Sequence, residues 1–177
     1  YVLWIYHEEI EGEYNFSGDM DLRAFVTECA AQGLEVMLRI GPWAHGECRN
    51  GGFPDWLQHS GIPLRTNDPR YMNYARIWYE QVFAQVKGLF KKDGGPIVGV
   101  QLENELVDNS EHLLALKRLA LEIGFDAPIF TVTGWNSKYG ARIPVDEMLP
   151  VFAVKGFTVP LAQVVDSFAY TYYFNTI

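Results

Sequence analysis

The sequence predicts an α/β fold of parallel βαβ units, and three observations predict it. Short runs rich in β-branched and aromatic residues alternate with segments that repeat apolar residues at i, i+3 and i+4. Polar residues gather directly after each apolar run. The 177 residues, 49% hydrophobic and 20% charged, have the size and composition of one globular domain with a real core.

The elements follow in order. Val2-Leu-Trp-Ile-Tyr6 reads as a buried strand that delivers His7-Glu8-Glu9 at its C-terminal end. Asp19 to Gln32 reads as a helix with Leu22, Phe25, Val26, Cys29 and Ala30 on one face and Gly33 placed to stop it. Leu34 to Ile40 is a second strand, broken by Gly41-Pro42 into a long loop that holds Gly46, Gly51, Gly52 and Pro54. Asp68-Pro69 offers an N-cap and a first-turn proline for a helix running through Tyr74, Ile77, Trp78, Val82 and Phe83 to about Phe90. Ile97 to Leu102 is a third strand that runs straight into Glu103-Asn104-Glu105. Asp108 or Asn109 caps the next helix, Glu111 to Ile123, and Gly124 closes it before a fourth strand, Pro128 to Thr133.

A barrel of such units gathers its chemistry at the C-terminal face of the strands, where His7-Glu8, Glu47, Asn104-Glu105 and Trp135-Asn136 all fall. A full barrel needs about 250 residues. Four strand–helix units are clear here, with further strands indicated near Leu149–Ala153 and Phe168–Phe174. The expected architecture is therefore an incomplete (β/α)8 TIM barrel, about strands 2 to 6. No linker or repeat divides residues 1–177, so one partial domain is expected, with no second domain. Tyr1 begins directly in strand-like sequence, which reads as a chain cut inside a domain. Such a piece exposes sheet edges that closure would pair, and aggregation is expected if it is expressed alone.

Composition excludes several classes of partner. With 14 Lys+Arg against 22 Asp+Glu the formal charge is −8 without a basic stripe, which argues against nucleic acid. No stretch approaches the roughly 20 apolar residues of a membrane span. Cys29 and Cys48 are the two cysteines and form no C-x-x-C signature. His7-Glu8 and His45…Glu47 lack H-E-x-x-H spacing, so neither a metal nor another cofactor is expected. The aromatic content, 15%, suits sugar stacking, but core filling explains most of it, including Trp43, Trp56 and Trp135.

Glu105 carries the sharpest chemical signal. A carboxylate at a strand end, preceded by a side-chain amide and held in a partly buried cleft, can stay protonated and donate to a leaving oxygen. Equally, it can sit at the N-terminus of the following helix, where negative charge is favoured. The local pattern leaves both readings open.

Longer motifs favour the first. Arg39-Ile-Gly-Pro-Trp-Ala-His-Gly-Glu-Cys-Arg-Asn-Gly-Gly-Phe-Pro-Asp-Trp-Leu57 strongly resembles the Arg-x-Gly-Pro-aromatic…Glu…Gly-Gly-x-Pro-x-Trp-Leu signature of glycoside hydrolase family 35 β-galactosidases. Gly99-Val-Gln-Leu-Glu-Asn-Glu105 is similar to that family's Val-Gln-x-Glu-Asn-Glu segment, and Tyr1-Val-Leu-Trp…His7-Glu8…Gly12-Glu-Tyr-Asn-Phe16 to its Tyr-Val-x-Trp-Asn-x-His-Glu-Pro…Gly-x-Tyr-x-Phe segment. The match covers at least residues 1 to 150, in the family's order.

The resemblance implies a retaining hydrolase of terminal β-D-galactose, acting on a β-galactoside oligosaccharide or glycan. It makes Glu105 the general acid/base, Asn104 the partner of the sugar 2-hydroxyl, and Glu47 and Tyr1 ligands of the terminal galactose. His45 and Gly46 line the same loop where many members have Cys and Ala, so their contacts are assigned to backbone. The nucleophile it implies is a Glu on a later strand. Asp146, Glu147 and Asp166 are the late carboxylates here, none in matching sequence, so the nucleophile is expected outside this chain and the isolated fragment is expected to be inactive. Glu103 and Arg39 are expected to be structural. Ile5, Glu9 and Leu106-Val107 stand where the pattern has Asn, Pro and Tyr-Gly, which bears on the substrate more than on the reaction. Two other readings stand beside this one: a related retaining glycosidase for another sugar, and a noncatalytic sugar-binding derivative.

Overall fold

A computed structural model describes residues 1–134, 143–144 and 146–152. The described elements are α1 (Trp4–His7), α2 (Leu22–Ala31), β1 (Val36–Gly41), α3 (Asp55–Gln58), α4 (Pro69–Val86), β2 (Ile97–Leu102), α5 (Ser110–Ile123), β3 (Ile129–Gly134) and β4 (Leu149–Phe152). The four strands form one sheet in the order β1-β2-β3-β4, every neighbouring pair parallel. Spatial order equals chain order, with helices crossing between β1 and β2 and between β2 and β3, as βαβ units require.

The local signals act as their chemistry dictates. Asp68 caps α4 by accepting from the Arg70 N–H at 2.9 Å, with Pro69 in the first turn. Asn109 caps α5 by accepting from the His112 N–H, and Gly124 ends that helix in the left-handed conformation. Helix α4 leaves helical geometry at Lys87, earlier than the expected end near Phe90. Phe90 instead bridges to Ile97 beside the sheet and is buried.

The core lies between the sheet and α4 and α5, around Trp78, Tyr79, Val82, Val100, Leu102, Leu113 and Leu116. Fully burying a side chain of this size contributes about 1.5–3 kcal/mol. Two core residues also anchor the end of β1. The Trp78 indole N–H donates to the Ile40 carbonyl at 2.9 Å, and the Tyr79 hydroxyl to the Gly41 carbonyl at 2.7 Å. The C-terminal end of the strand is thereby tied to α4 just where the loop begins.

Two expectations are corrected. Val2–Tyr6 is not a strand. Only Val2 makes a strand-like bond, its N–H to the Arg39 carbonyl at 2.8 Å, and Trp4–His7 then forms a helical turn closed by Glu8 N–H to Trp4 O. Tertiary packing overrides the β propensity here. The Trp4 indole N–H reaches the Glu8 carboxylate at 2.5 Å, whereas an extended chain would hold residues four apart about 13 Å from one another. Trp4 and His7 also both pack against the Trp78 ring.

The second correction concerns α2. Its expected apolar face is half bare, since Val26 is buried but Phe25 is 68% exposed and Ala30 is exposed. Helix α2 sits beside α4, with Arg23 donating to the Gln85 and Lys87 carbonyls. Strand β1 is the edge strand of the sheet among the described residues.

Candidate active site

Parallel strands bring their C-terminal ends to one side of the sheet, and the loops after β1 and β2 meet there. The backbone N–H of Glu103, leaving β2, donates to the carbonyl of Gly41, leaving β1, at 2.8 Å. That carbonyl therefore accepts from both Glu103 and Tyr79.

After Leu102 the chain is not extended. Glu103 (φ 58°) and Glu105 (φ 55°) both adopt the left-handed conformation, which costs roughly 1–2 kcal/mol per non-glycine residue. Strain of this kind persists only where the surroundings hold it. Holding it here are the Glu103 bond to Gly41, the Glu105 N–H to the Val132 carbonyl of β3, and Arg65. Arg65 donates through Nη2 to the Glu103 carboxylate at 2.6 Å and to the Asn104 carbonyl at 2.8 Å, and its guanidinium lies 4.6 Å from the Trp43 ring centre. Glu103 is completely buried, and burial raises its pKa against the opposing pull of Arg65. Its buried pair with Arg65 gives it a structural place.

Asn104 is buried as well, held through a cross-strand relay. Arg39 and Gln101 face each other in the β1–β2 register. Arg39 Nε donates to Gln101 Oε1 at 3.0 Å and Nη1 to the Ala44 carbonyl at 3.0 Å. Gln101 Nε2 donates to the Glu103 carbonyl at 2.8 Å and to Asn104 Oδ1 at 3.3 Å. The Arg39 guanidinium also lies 4.1 Å from the Tyr1 ring centre, and the His45 ring meets Tyr1 edge-on at 5.8 Å. Tyr1, His45 and Asn104 are thus joined through Arg39 and Gln101.

Glu105 follows in chain but differs in setting. Its side chain is exposed rather than held in a partly buried cleft, although its backbone is left-handed like that of the buried Glu103. Glu47 is exposed too, two residues beyond His45, and its N–H donates to His45 Nδ1 at 3.0 Å. Gly46 is exposed, and a Cβ there would meet nothing within 4 Å. In the same loop Gly51 matters sterically: its φ is 63° and a Cβ would stand 2.2 Å from the Trp43 ring.

Glu8 is buried, accepting from the Trp4 indole and from the Gly12 N–H at 2.7 Å. His7 stacks on Phe16 at 4.4 Å and pairs through Nδ1 with the Asn15 carbonyl. Asp146 and Glu147 are exposed and precede β4, which puts them at the opposite end of the parallel sheet. Trp135, Asn136 and Asp166 lie outside the described residues. Among the described residues no three His, Cys, Asp or Glu side chains converge to hold a metal ion, and no helix is long and apolar enough to cross a membrane.

The model of glycosyl hydrolases family 35 matches residues 1–168. The chain belongs to this family. Among its relatives, a β-galactosidase of Xanthomonas manihotis is 38% identical over 149 residues, covering 81% of this chain and 25% of that protein. A β-galactosidase of Bos taurus is 39% identical over 144 residues, covering 78% of this chain and 22% of that protein. The β-galactosidase-1-like protein of Mus musculus is 41% identical over 106 residues, covering 59% and 16%. The chain thus spans a quarter or less of the length of these relatives. Sequence reasoning quoted Gln101 within a family 35 motif without giving it a task, and passed over Arg65 entirely. The polarity of Gln101 beside a strand arginine was the one available signal.

Proposed function

We propose that this chain forms part of the catalytic (β/α)8 barrel of a retaining β-galactosidase, with Glu105 as general acid/base and Asn104 as the partner of the 2-hydroxyl. The observation that carries the reading is the rigid, polar hold on Asn104 beside an exposed Glu105, at the strand ends where such barrels work. The sheet order supports consecutive barrel strands within one partial domain. Tyr1, His45, Gly46 and Glu47 are proposed as ligands of the terminal galactose, with His45 and Gly46 acting through backbone.

In a retaining mechanism a second carboxylate stands about 5–5.5 Å from the acid and attacks the anomeric carbon. Glu105 protonates the departing oxygen and later takes the proton of the incoming water. Glu8 and Glu103 are committed to buried partners, and Asp146 and Glu147 lie at the wrong end of the sheet. Because the family resemblance implies a Glu on a later strand as nucleophile, we place it outside this chain, so that the isolated chain is inactive.

The test compares an aryl β-galactoside that has a poor leaving group with the matching β-glucoside in the full-length protein, before and after Glu105→Gln. Galactoside-selective turnover that drops at least about 100-fold in the variant is expected, the scale of general acid catalysis. Glucoside-selective turnover would assign another sugar. Galactose binding without turnover would make the protein a lectin-like derivative. Hydrolysis by the isolated 177-residue chain, lost on Glu105→Gln, would overturn the placement of the nucleophile.

A further inference from the structure

We infer that Gln101 is a positioning residue: it fixes which end of the Asn104 amide faces a bound sugar, so that Asn104 offers N–H donors there and not its carbonyl. The inference deepens the proposed function and rests on its assignment of Asn104 to a sugar hydroxyl.

The argument is one of hydrogen-bond polarity. An amide side chain looks alike at its two ends, and only its partners decide which end is oxygen. Gln101 has two partners whose roles admit no choice. Arg39 carries only donors and stays protonated, so the Gln101 atom 3.0 Å from its Nε is the oxygen. The Glu103 backbone carbonyl can only accept, so the Gln101 atom 2.8 Å from it is the nitrogen. The second N–H of that nitrogen points at the Asn104 side chain, 3.3 Å away. Only Oδ1 can accept it. A reversed Asn104 amide would set N–H against N–H in a buried site, where an unmatched donor costs about 1–3 kcal/mol.

Polarity thus passes from the guanidinium through Gln101 to Asn104. Its source is itself clamped, since Arg39 also donates to the Ala44 carbonyl and lies against Tyr1. With Oδ1 taken by Gln101, Asn104 Nδ2 is the end of the amide left to a ligand. The ligand group it selects is one that accepts a hydrogen bond, as a hydroxyl oxygen does. In glycosidases such bonds to the 2-hydroxyl strengthen in the transition state, so a turned amide costs rate and not merely binding.

The experiment measures kcat/KM in the full-length enzyme for an aryl β-galactoside and for its 2-deoxy counterpart, and takes their ratio. Gln101→Glu keeps the shape and the acceptor for Arg39 but puts a second acceptor toward Asn104, which turns the amide over. The ratio is expected to fall at least about tenfold, toward its value in Asn104→Ala, with the natural substrate losing more than the 2-deoxy one. Equal losses on both substrates would reduce Gln101 to a packing residue and overturn the proposal. If Gln101→Glu does not fold, Gln101→Met removes the polarity without a charge, and an unchanged ratio there overturns it equally. Neutron diffraction gives an arm independent of turnover. Deuterons on the Asn104 atom away from Gln101 are expected, and deuterons on the atom facing Gln101 refute the inference. Should the unaltered enzyme hydrolyse neither galactoside, or Asn104→Ala leave the ratio unchanged, the sugar-site reading fails while the neutron map still decides the role of Gln101.

Discussion

Replacing Arg65 by Met tests what holds the left-handed turn that carries Glu105. The substitution keeps most of the aliphatic stem and removes the donors to Glu103 and to the Asn104 carbonyl. The Glu103 side chain has no solvent exposure and that of Arg65 has 23%. Removing one member of a buried pair costs about 3–5 kcal/mol, because the other charge is left desolvated without compensation. The partial exposure of Arg65 puts the expected loss near the lower end, about 3 kcal/mol at pH 7.5.

The cost depends on pH, with a definite sign. Burial already holds the Glu103 pKa above its ordinary value while Arg65 pulls it down. Without Arg65 it rises further. Between the unfolded and folded pKa values the native state holds a proton that the unfolded state has released, so stability falls as pH rises through that window. The Arg65→Met penalty should therefore shrink by up to about 1.4 kcal/mol per unit as pH is lowered from 7.5 toward 5. Adding Glu103→Gln should recover a large part of the loss at pH 7.5. Thermal and urea denaturation of the full-length protein at the two pH values measures all three quantities. A loss under about 1 kcal/mol at pH 7.5, a penalty independent of pH, or a double variant no better than the single one would refute the account.

Three further outcomes are expected. Gly51→Ala should destabilise by at least about 2 kcal/mol and displace Trp43, since a positive φ and a ring 2.2 Å from the new Cβ oppose it together; a fluorescence change with a lowered melting temperature checks this. His112 is buried against Tyr71 and paired with Asn67 through Nδ1, and burial lowers its pKa to about 4. Because the unfolded chain takes up its proton near pH 6.5 and the folded one does not, stability should fall between pH 6.5 and 4, and a flatter urea-stability profile in His112→Gln checks it. In Glu105→Gln, aryl galactosides with poor leaving groups should lose far more turnover than activated ones, because an acidic phenol departs without a donated proton; a leaving-group series decides.

The elements legible in the sequence are those whose cause is local. Asp68-Pro69, Asn109 and Gly124 mark helix ends through bonds to residues within four positions, and the β2 run reads as a buried strand from Ile97, Val98, Val100 and Leu102, with Gln101 its one polar side chain. The family motifs likewise named Glu105, Asn104 and Glu47 from contiguous sequence. What the sequence left undecided depends on partners remote in the chain. Trp4–His7 has strand-forming residues but folds as a turn because its rings find Trp78. Glu103 and Glu105 look like the continuation of a strand, yet contacts with Gly41, Val132 and Arg65 hold both in a conformation that local preference opposes. Arg65 stands 38 residues from Glu103, and Arg39 62 residues from Gln101. Sequence alone therefore determined the parallel βαβ plan and the acidic residue at the end of β2. Tertiary structure decided which glutamate is buried and which is free, and which way Asn104 is turned. Burial and hydrogen-bond polarity belong to the partners a side chain meets, and those meet only when β1 and β2 pair.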